Sequence, residues 1–248
     1  MPFASISPSA CAAKIRSARR LAVLTGAGIS TSAGVPDFRG PKGLYVTRTY
    51  DPETVFDIHY FDRDPDPFYA FSRDFLALLE NISPTPAHLF LADLEKRGLD
   101  IGIVTQNIDG LHQRAGSRRV YPIHGDYRTA HCRRCGQEYE EAWLKARLAA
   151  GPDSPSCPDC GGSVKPDVVF FGENVRHLEE SMALAASSDL MLALGTSLAV
   201  HPAAALPRQA GGEVVIVNMG PVEMRPWDGA YLAEAGLDEF FAEVAEKL

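Results

Sequence analysis

Two Cys-x-x-Cys pairs, Cys132/Cys135 and Cys157/Cys160, carry the plainest chemistry in the sequence. A thiolate pair at this spacing grips one Zn²⁺ from a tight turn, and a second pair completes a tetrahedron of four sulfurs. The gap from Cys135 to Cys157 is one residue beyond the usual 15–20 for this pattern. Four sulfurs leave no open position for water, so the expected zinc is structural. The alternative is reducible disulfides or free thiols. In a chain of this size without a secretory signal, paired motifs point to metal and to a reducing compartment.

The second signal is Gly26-Ala27-Gly28-Ile29-Ser30-Thr31-Ser32-Ala33-Gly34, directly after an apolar run. Glycines let a backbone approach a pyrophosphate, and a helix entered from such a turn offers free N–H groups. The spacing is not Gly-x-Gly-x-x-Gly, so a merely structural turn is the competing reading. Val35-Pro36-Asp37-Phe38-Arg39 follows, which packs an acid, an aromatic and a base into a loop needing none of them for stability. Taken singly, each of the seven histidines reads as a structural residue.

These groups need elements to position them. Residues 21–24, 101–104, 190–194 and 214–217 are apolar runs of strand length separated by helix-like sequence. That alternation predicts an α/β fold with a mainly parallel sheet and helices on both faces. Polar residues follow each run, at 25–30, 105–109, 195–197 and Asn218, and ligands bind at the carboxyl ends of strands in such sheets. The four exits are expected to converge on one crevice. Residues 10–20 read as a first amphipathic helix capped by Ser7 or Ser9, a reading preferred to a transit peptide. Residues 38–82, rich in aromatics and Pro, read as a helical lid with the pattern Phe68, Phe71, Phe75, Leu78, Leu79.

The 248 residues are 46% hydrophobic and 23% charged, ordinary for a globular protein. A net charge of -8 counts against general nucleic-acid binding, which relies on neutralising phosphates. Only Arg128, Arg133, Arg134, Lys145 and Arg147 lie near the cysteines, too few for a nucleic-acid surface there. No apolar run approaches the roughly 20 residues of a membrane span. A soluble, cytoplasmic protein is expected.

Residues 26–39 resemble the signature of the sirtuin family. The family's other hallmarks follow in order: Thr105-Gln106-Asn107-Ile108-Asp109, His124-Gly125, the two cysteine pairs, Lys165-Pro166-Asp167-Val168-Val169-Phe170-Phe171-Gly172-Glu173, Gly195-Thr196-Ser197 and Val217-Asn218. The likeness covers nearly the whole chain. It implies a Rossmann-like domain over residues 1–37, 83–125 and 166–248, with the lid at 38–82 and a zinc-ribbon module at 126–165. It also implies NAD-dependent removal of acetyl groups from protein lysines, with acetylated-lysine proteins or peptides as partners and NAD and Zn²⁺ as cofactors. In the family's reaction the acyl oxygen attacks the anomeric carbon of the nicotinamide ribose and nicotinamide leaves. A base then activates a ribose hydroxyl, and the products are free lysine, nicotinamide and O-acetyl-ADP-ribose.

Carried over by motif, His124 is that base, since an imidazole can accept a proton at neutral pH. Asn107 and Asp109 hold the nicotinamide carboxamide. Phe38 and Arg39 close over the cofactor. The remaining cofactor contacts implied are Gly26, Ala27, Gly28, Ser30, Thr31, Asp37, Gln106, Ile108, Gly195, Thr196, Ser197, Asn218 and Met219, with Leu237 at the adenine. Residues 168–173 are expected to offer a strand edge to an extended peptide, with Val169 and Phe171 lining the acyl-lysine tunnel and Gly172 and Glu173 beside them. A mono-ADP-ribosyltransferase or NAD hydrolase on the same scaffold is the alternative. Sirtuins that prefer succinyl or malonyl lysine resemble one another in a Tyr-x-x-Arg pattern on the lid helix. Those positions here are Ser72 and Phe75, while Tyr69 and Arg73 have the wrong spacing, so lysine carrying an acetyl or a somewhat longer apolar acyl group is the expected substrate.

Overall fold

The four apolar runs form the middle of a parallel sheet. The structure is a computed structural model that describes residues 2–37 and 50–248. Phe38 and Arg39 lie outside the described residues. Strands among the described residues are β1 (Ala4–Ser5), β2 (Arg20–Thr25), β3 (Asp100–Thr105), β4 (Val120–Pro122), β5 (Gly125–Cys132), β6 (Glu138–Glu140), β7 (Val164–Val168), β8 (Leu190–Leu194), β9 (Glu213–Val217) and β10 (Ala230–Ala233). The chain divides into two compact units. Unit 1 is Met1–Gly34, Ser83–Ile123 and His177–Leu248; unit 2 is Val35–Ile82 and His124–Arg176.

Unit 1 holds a seven-stranded sheet in the order β1-β10-β9-β8-β2-β3-β4, parallel throughout. Successive strand residues point to opposite faces. Leu21, Val23, Ile103, Leu192 and Val215 join the core that also takes Ile15, Leu91 and Phe241 from the helices Pro8–Ser17, Pro86–Lys96 and Leu237–Ala245. On the other face, a Cβ added at Gly102 would lie 2.8 Å from Leu184 of the helix Leu178–Ser187. Coverage of both faces is why these strands read as unbroken apolar runs rather than as alternating patterns. The first helix is Pro8–Ser17, earlier at both ends than expected, with Ser7 as its cap and Pro8 in its first turn; Ala18 turns extended and stops it. From β2 the chain builds outward to β3 and β4, then returns to place β8 on β2's other side. That reversal makes the β2/β8 boundary the switch point where such sheets bind ligands.

Unit 2 combines an antiparallel sheet, β6-β5-β7, with the helices Pro52–Val55, Ile58–Arg63, Asp66–Glu80 and Glu141–Ala149. Residues 166–176 belong here, with the expected lid and zinc segments, because β7 pairs with β5 and Phe170 is buried among rings. Phe68 lies 4.8 Å from Phe170 centroid to centroid, and Phe56 and Phe61 meet Phe170 edge-on at 5.9 and 5.5 Å. Edge-to-face packing is the preferred geometry for such rings. On Asp66–Glu80 the expected Phe68, Phe71 and Phe75 are buried, joined by Tyr69, Ser72 and Leu76. Leu78 and Leu79 are only half-buried. No helix among the described residues is long and apolar enough to cross a membrane.

Candidate active site

At the switch point the exits of β2 and β8 touch backbone to backbone. The Gly26 amide donates to Leu194 O at 3.0 Å, and the Gly28 amide to Gly195 O at 2.9 Å. A Cβ at Gly26 would sit 2.8 Å from Gly195 O, and one at Gly28 2.7 Å from Gly195 Cα, so the two loops close only with hydrogen in place of side chains. The helix expected after this glycine turn is absent from residues 26–37. Two 3-10 turns, Ala27–Ile29 and Thr31–Ala33, take its place, and Gly34 at φ 97° ends the second. Pro36 then disfavours helical backbone at Val35.

The β3 exit folds onto the same loop. Asn107 Nδ2 donates to Gly26 O at 3.1 Å and to Ser30 Oγ at 3.2 Å, and Ser30 Oγ donates to Asp109 at 2.7 Å. The Leu111 amide donates to the other Asp109 oxygen at 2.9 Å. Burial pushes the Asp109 carboxyl up, against the pull of these donors. Gln106 Nε2 donates to Thr196 Oγ1 at 3.0 Å, tying the β3 exit to the β8 exit. Unit 1 therefore brings together Gly26, Gly28, Ser30, Gln106, Asn107, Asp109, Gly195 and Thr196, around a cradle that fits a nucleotide's close approach. Ala27, Ile108 and Ser197 are half-buried beside them, and Thr31 is exposed.

The other expected contacts lie outside this bonded group. Asn218 follows β9 and donates to Gly220 O at 3.1 Å, and Met219 is 77% exposed. Leu237 begins a helix with its side chain in the core, which leaves its backbone rather than its side chain for a ligand. Asp37 lies in unit 2, half-buried. Sequence reasoning gave no role to His88 and His112, yet both are buried behind these loops with rings 4.6 Å apart. His112 Nε2 meets Thr25 Oγ1 at 2.9 Å, and Thr85, bonded to His88, donates to Ile29 O at 3.1 Å. Burial holds His88 down to about 4, and it holds His112 well below the ordinary imidazole value.

In unit 2, His124 is half-buried, and its carbonyl accepts the Val169 amide at 2.8 Å. Gly125, at φ 72°, is obligatory: a Cβ there would overlap the Asp167 carbonyl oxygen. Sequence reasoning saw His124-Gly125 as a motif without this reason. The Phe171 amide donates to Phe56 O at 2.7 Å, and the Ile58 amide to Phe171 O at 3.1 Å. The Phe170 amide goes to Glu173 at 2.9 Å. The amides of residues 169–171 thus serve internal bonds rather than a free edge. The side chain of Phe171 is 52% exposed and Val169 half-buried. Glu173, expected at the substrate, is instead paired with buried Lys165 at 2.8 Å. Lys165 was missed because a lysine reads as surface.

The four cysteine sulfurs lie within 4.8 Å of one another. Cys132–Cys160 is 3.4 Å and Cys135–Cys157 is 3.7 Å. An edge of about 3.8 Å is what ~2.3 Å Zn–S bonds give in a tetrahedron, so these thiols fit Zn²⁺ and no disulfide is formed among them. The Tyr139 hydroxyl donates to Cys157 Sγ at 3.0 Å and pulls that thiol well below its ordinary value. A helix (Glu141–Ala149) joins the two turns.

The sequence profile of the Sir2 family matches residues 26–202. An NAD-dependent protein deacetylase of Thermotoga maritima is 41% identical over 240 residues, covering 94% of this chain and 95% of its own. One from Caldivirga maquilingensis is 43% identical over 212 residues, 84% of this chain and 81% of its own. Among solved structures, a Sir2 protein with a deacetylated p53 peptide and 3'-O-acetyl ADP-ribose superposes with a TM-score of 0.88 at 39% identity, covering 98% of both chains. With a profile over most of its length and relatives above 40% identity, the chain belongs to the Sir2 family.

Proposed function

We propose that this protein removes acetyl groups from protein lysines while consuming NAD, releasing nicotinamide and O-acetyl-ADP-ribose. The observation that carries the reading is the buried Ser30–Asn107–Asp109 network at the switch point, in a chain whose relatives are named NAD-dependent protein deacetylases. NAD supplies the ADP-ribosyl group that accepts the acetyl. Gly26, Gly28 and Gly195 admit the nucleotide backbone. Asn107, fixed through Ser30, and Asp109 orient the carboxamide so that the glycosidic bond breaks toward the acyl oxygen. Gln106, Thr196, Ser197 and Asn218 bind its phosphates and ribose hydroxyls. Phe38 and Arg39 are assigned from sequence alone, Phe38 to exclude water after nicotinamide leaves.

His124 accepts the proton from a ribose hydroxyl in the second stage. Residues 169–172 seat the peptide, with Val169 and Phe171 at the acyl-lysine. Zn²⁺, bound by Cys132, Cys135, Cys157 and Cys160, supplies structure and no chemistry. Four thiols arranged for metal suit a reducing compartment, which supports a cytoplasmic location. The test is nicotinamide release measured with and without an acetyl-lysine peptide, with mass analysis of the products. Peptide-dependent release with O-acetyl-ADP-ribose is expected. Release without peptide, or ADP-ribose found on protein, would replace this reading with the hydrolase or the transferase.

A further inference from the structure

The segment assigned to the peptide is held from beneath by a buried cation. Lys165 is 6% exposed, a charged side chain almost wholly withdrawn from water. Its ammonium has three donors, and three acceptors meet it: Val168 O at 2.6 Å, Glu173 at 2.8 Å and, more distantly, Pro166 O at 3.4 Å. The same ammonium lies 4.0 Å from the centroid of Phe170. Glu173 takes the Phe170 amide at 2.9 Å with the oxygen that takes the ammonium, and its own amide returns to Phe170 O at 3.0 Å. Residues 165–173 are therefore a closed loop with an ion pair at its neck. The loop's far side is pinned by the Phe171 backbone bonds to Phe56 and Ile58.

A lysine this deep costs desolvation that hydrophobic packing would avoid, so stability alone does not account for it. What the charge adds is direction: it fixes the Val168 carbonyl, the Phe170 ring and the Glu173 carboxylate at once. We infer that Lys165 and Glu173 are positioning residues that preform residues 169–172 for the acylated peptide, so that binding does not have to order them. This rests on the assignment of that segment to the peptide.

The experiment compares wild type, Lys165→Met and Glu173→Gln in steady-state kinetics with NAD and peptide varied separately, alongside the Kd of a fluorescent acetyl-lysine peptide. Bound zinc and Trp143 fluorescence report whether unit 2 is folded. In folded variants the peptide KM and Kd should rise about 10- to 100-fold, with kcat and the NAD KM within about twofold. Should Lys165→Met not fold, Glu173→Gln decides, since its amide oxygen still accepts the Phe170 N–H while the charge is gone. A folded variant with the wild-type peptide Kd, or one losing kcat with both KM values unchanged, overturns the inference. An active wild type with unaffected variants refutes the inference alone. A wild type that binds the peptide but releases no nicotinamide refutes the deacetylase reading instead, and the Kd comparison still decides this one.

Discussion

Unit 1 and unit 2 hold their functional residues by different means. Ser30, Asn107, Asp109 and Thr196 stand at the ends of strands whose ladders are buried on both faces, and each loop is tied to the next by several bonds. His124 and residues 169–173 hang instead on a three-stranded sheet, four thiols, one glycine and one buried ion pair. The first arrangement spreads its positioning over many weak contacts. The second concentrates it in a few atoms, so single changes there should act more sharply.

The largest expected effect is that of Cys157→Ala. Structural zinc in zinc-finger peptides binds with an apparent 10–16 kcal/mol, which becomes folding free energy. Trp143 stacks on Tyr139 at 3.9 Å in unit 2, whereas Trp227 meets Phe3 at 6.0 Å in unit 1, so each unit carries its own fluorophore. In single-tryptophan versions of the variant, Trp143 should report unfolding under conditions where Trp227 stays native. One shared midpoint for both would erase the contrast between the units. Next, His124→Tyr should lower kcat about 10²–10⁴-fold with zinc content and Tm unchanged. Wild-type turnover would remove the base from unit 2.

The third effect belongs to unit 1 and follows from pH. His88 is held by burial at about 4 against 6.5 unfolded, so the unfolded chain binds protons that the native chain refuses between those values. Stability is full above about 6.5 and falls as pH drops toward 4, by about 3 kcal/mol from this histidine at 1.36 kcal/mol per unit. Urea unfolding followed by Trp227 at pH 7.5 and pH 5 should show the loss, and His88→Gln should shrink the difference. An equal pH dependence in the variant would mean that His88 is not the group concerned.

The smallest effect concerns the acyl group. Ser72 Oγ and Tyr127 Oη meet at 3.0 Å, both buried, and Phe75 stacks on Phe71 at 5.3 Å. Tyr69 bonds the Val164 carbonyl, and Arg73 donates to the Pro152 and Asp153 carbonyls. A succinyl carboxylate would lose hydration at such a wall without a bidentate partner. The kcat/KM for an acetyl peptide should exceed that of its succinyl twin by at least about 10²-fold. Parity would show that the wall is polar.

What could be read from the sequence tracks the same contrast. Strands buried on both faces declare themselves as apolar runs, and β2, β3, β8 and β9 were placed with the polar exits that follow them. The cysteine spacing declared the sulfur cluster just as directly. β4, which contains Pro122, and the two-residue β1 have no such signature. Nor did the replacement of a helix by 3-10 turns after Gly26, because glycine spacing constrains loop approach and not the hydrogen-bond pattern beyond. Phe170 and Phe171 look interchangeable in sequence, yet one is core and the other exposed, decided by which face of the turn meets the rings. Glu173 drew a substrate role from its motif, whereas its partner is a lysine eight residues earlier whose burial composition does not reveal.

Strand order also sets a timetable for biosynthesis. Unit 2 is complete once Arg176 has left the ribosome, but β8, which lies between β9 and β2 in the large sheet, is made only afterwards. Domains fold as units while the chain grows. The nascent protein can therefore capture zinc and close β5 against β7 while the inner edge of β2 is still unpaired, an apolar strand edge of the kind that invites aggregation. A stall that leaves Arg176 but not Leu190 outside the ribosome would prolong that exposure, whereas one with Val217 already outside would find the edge covered.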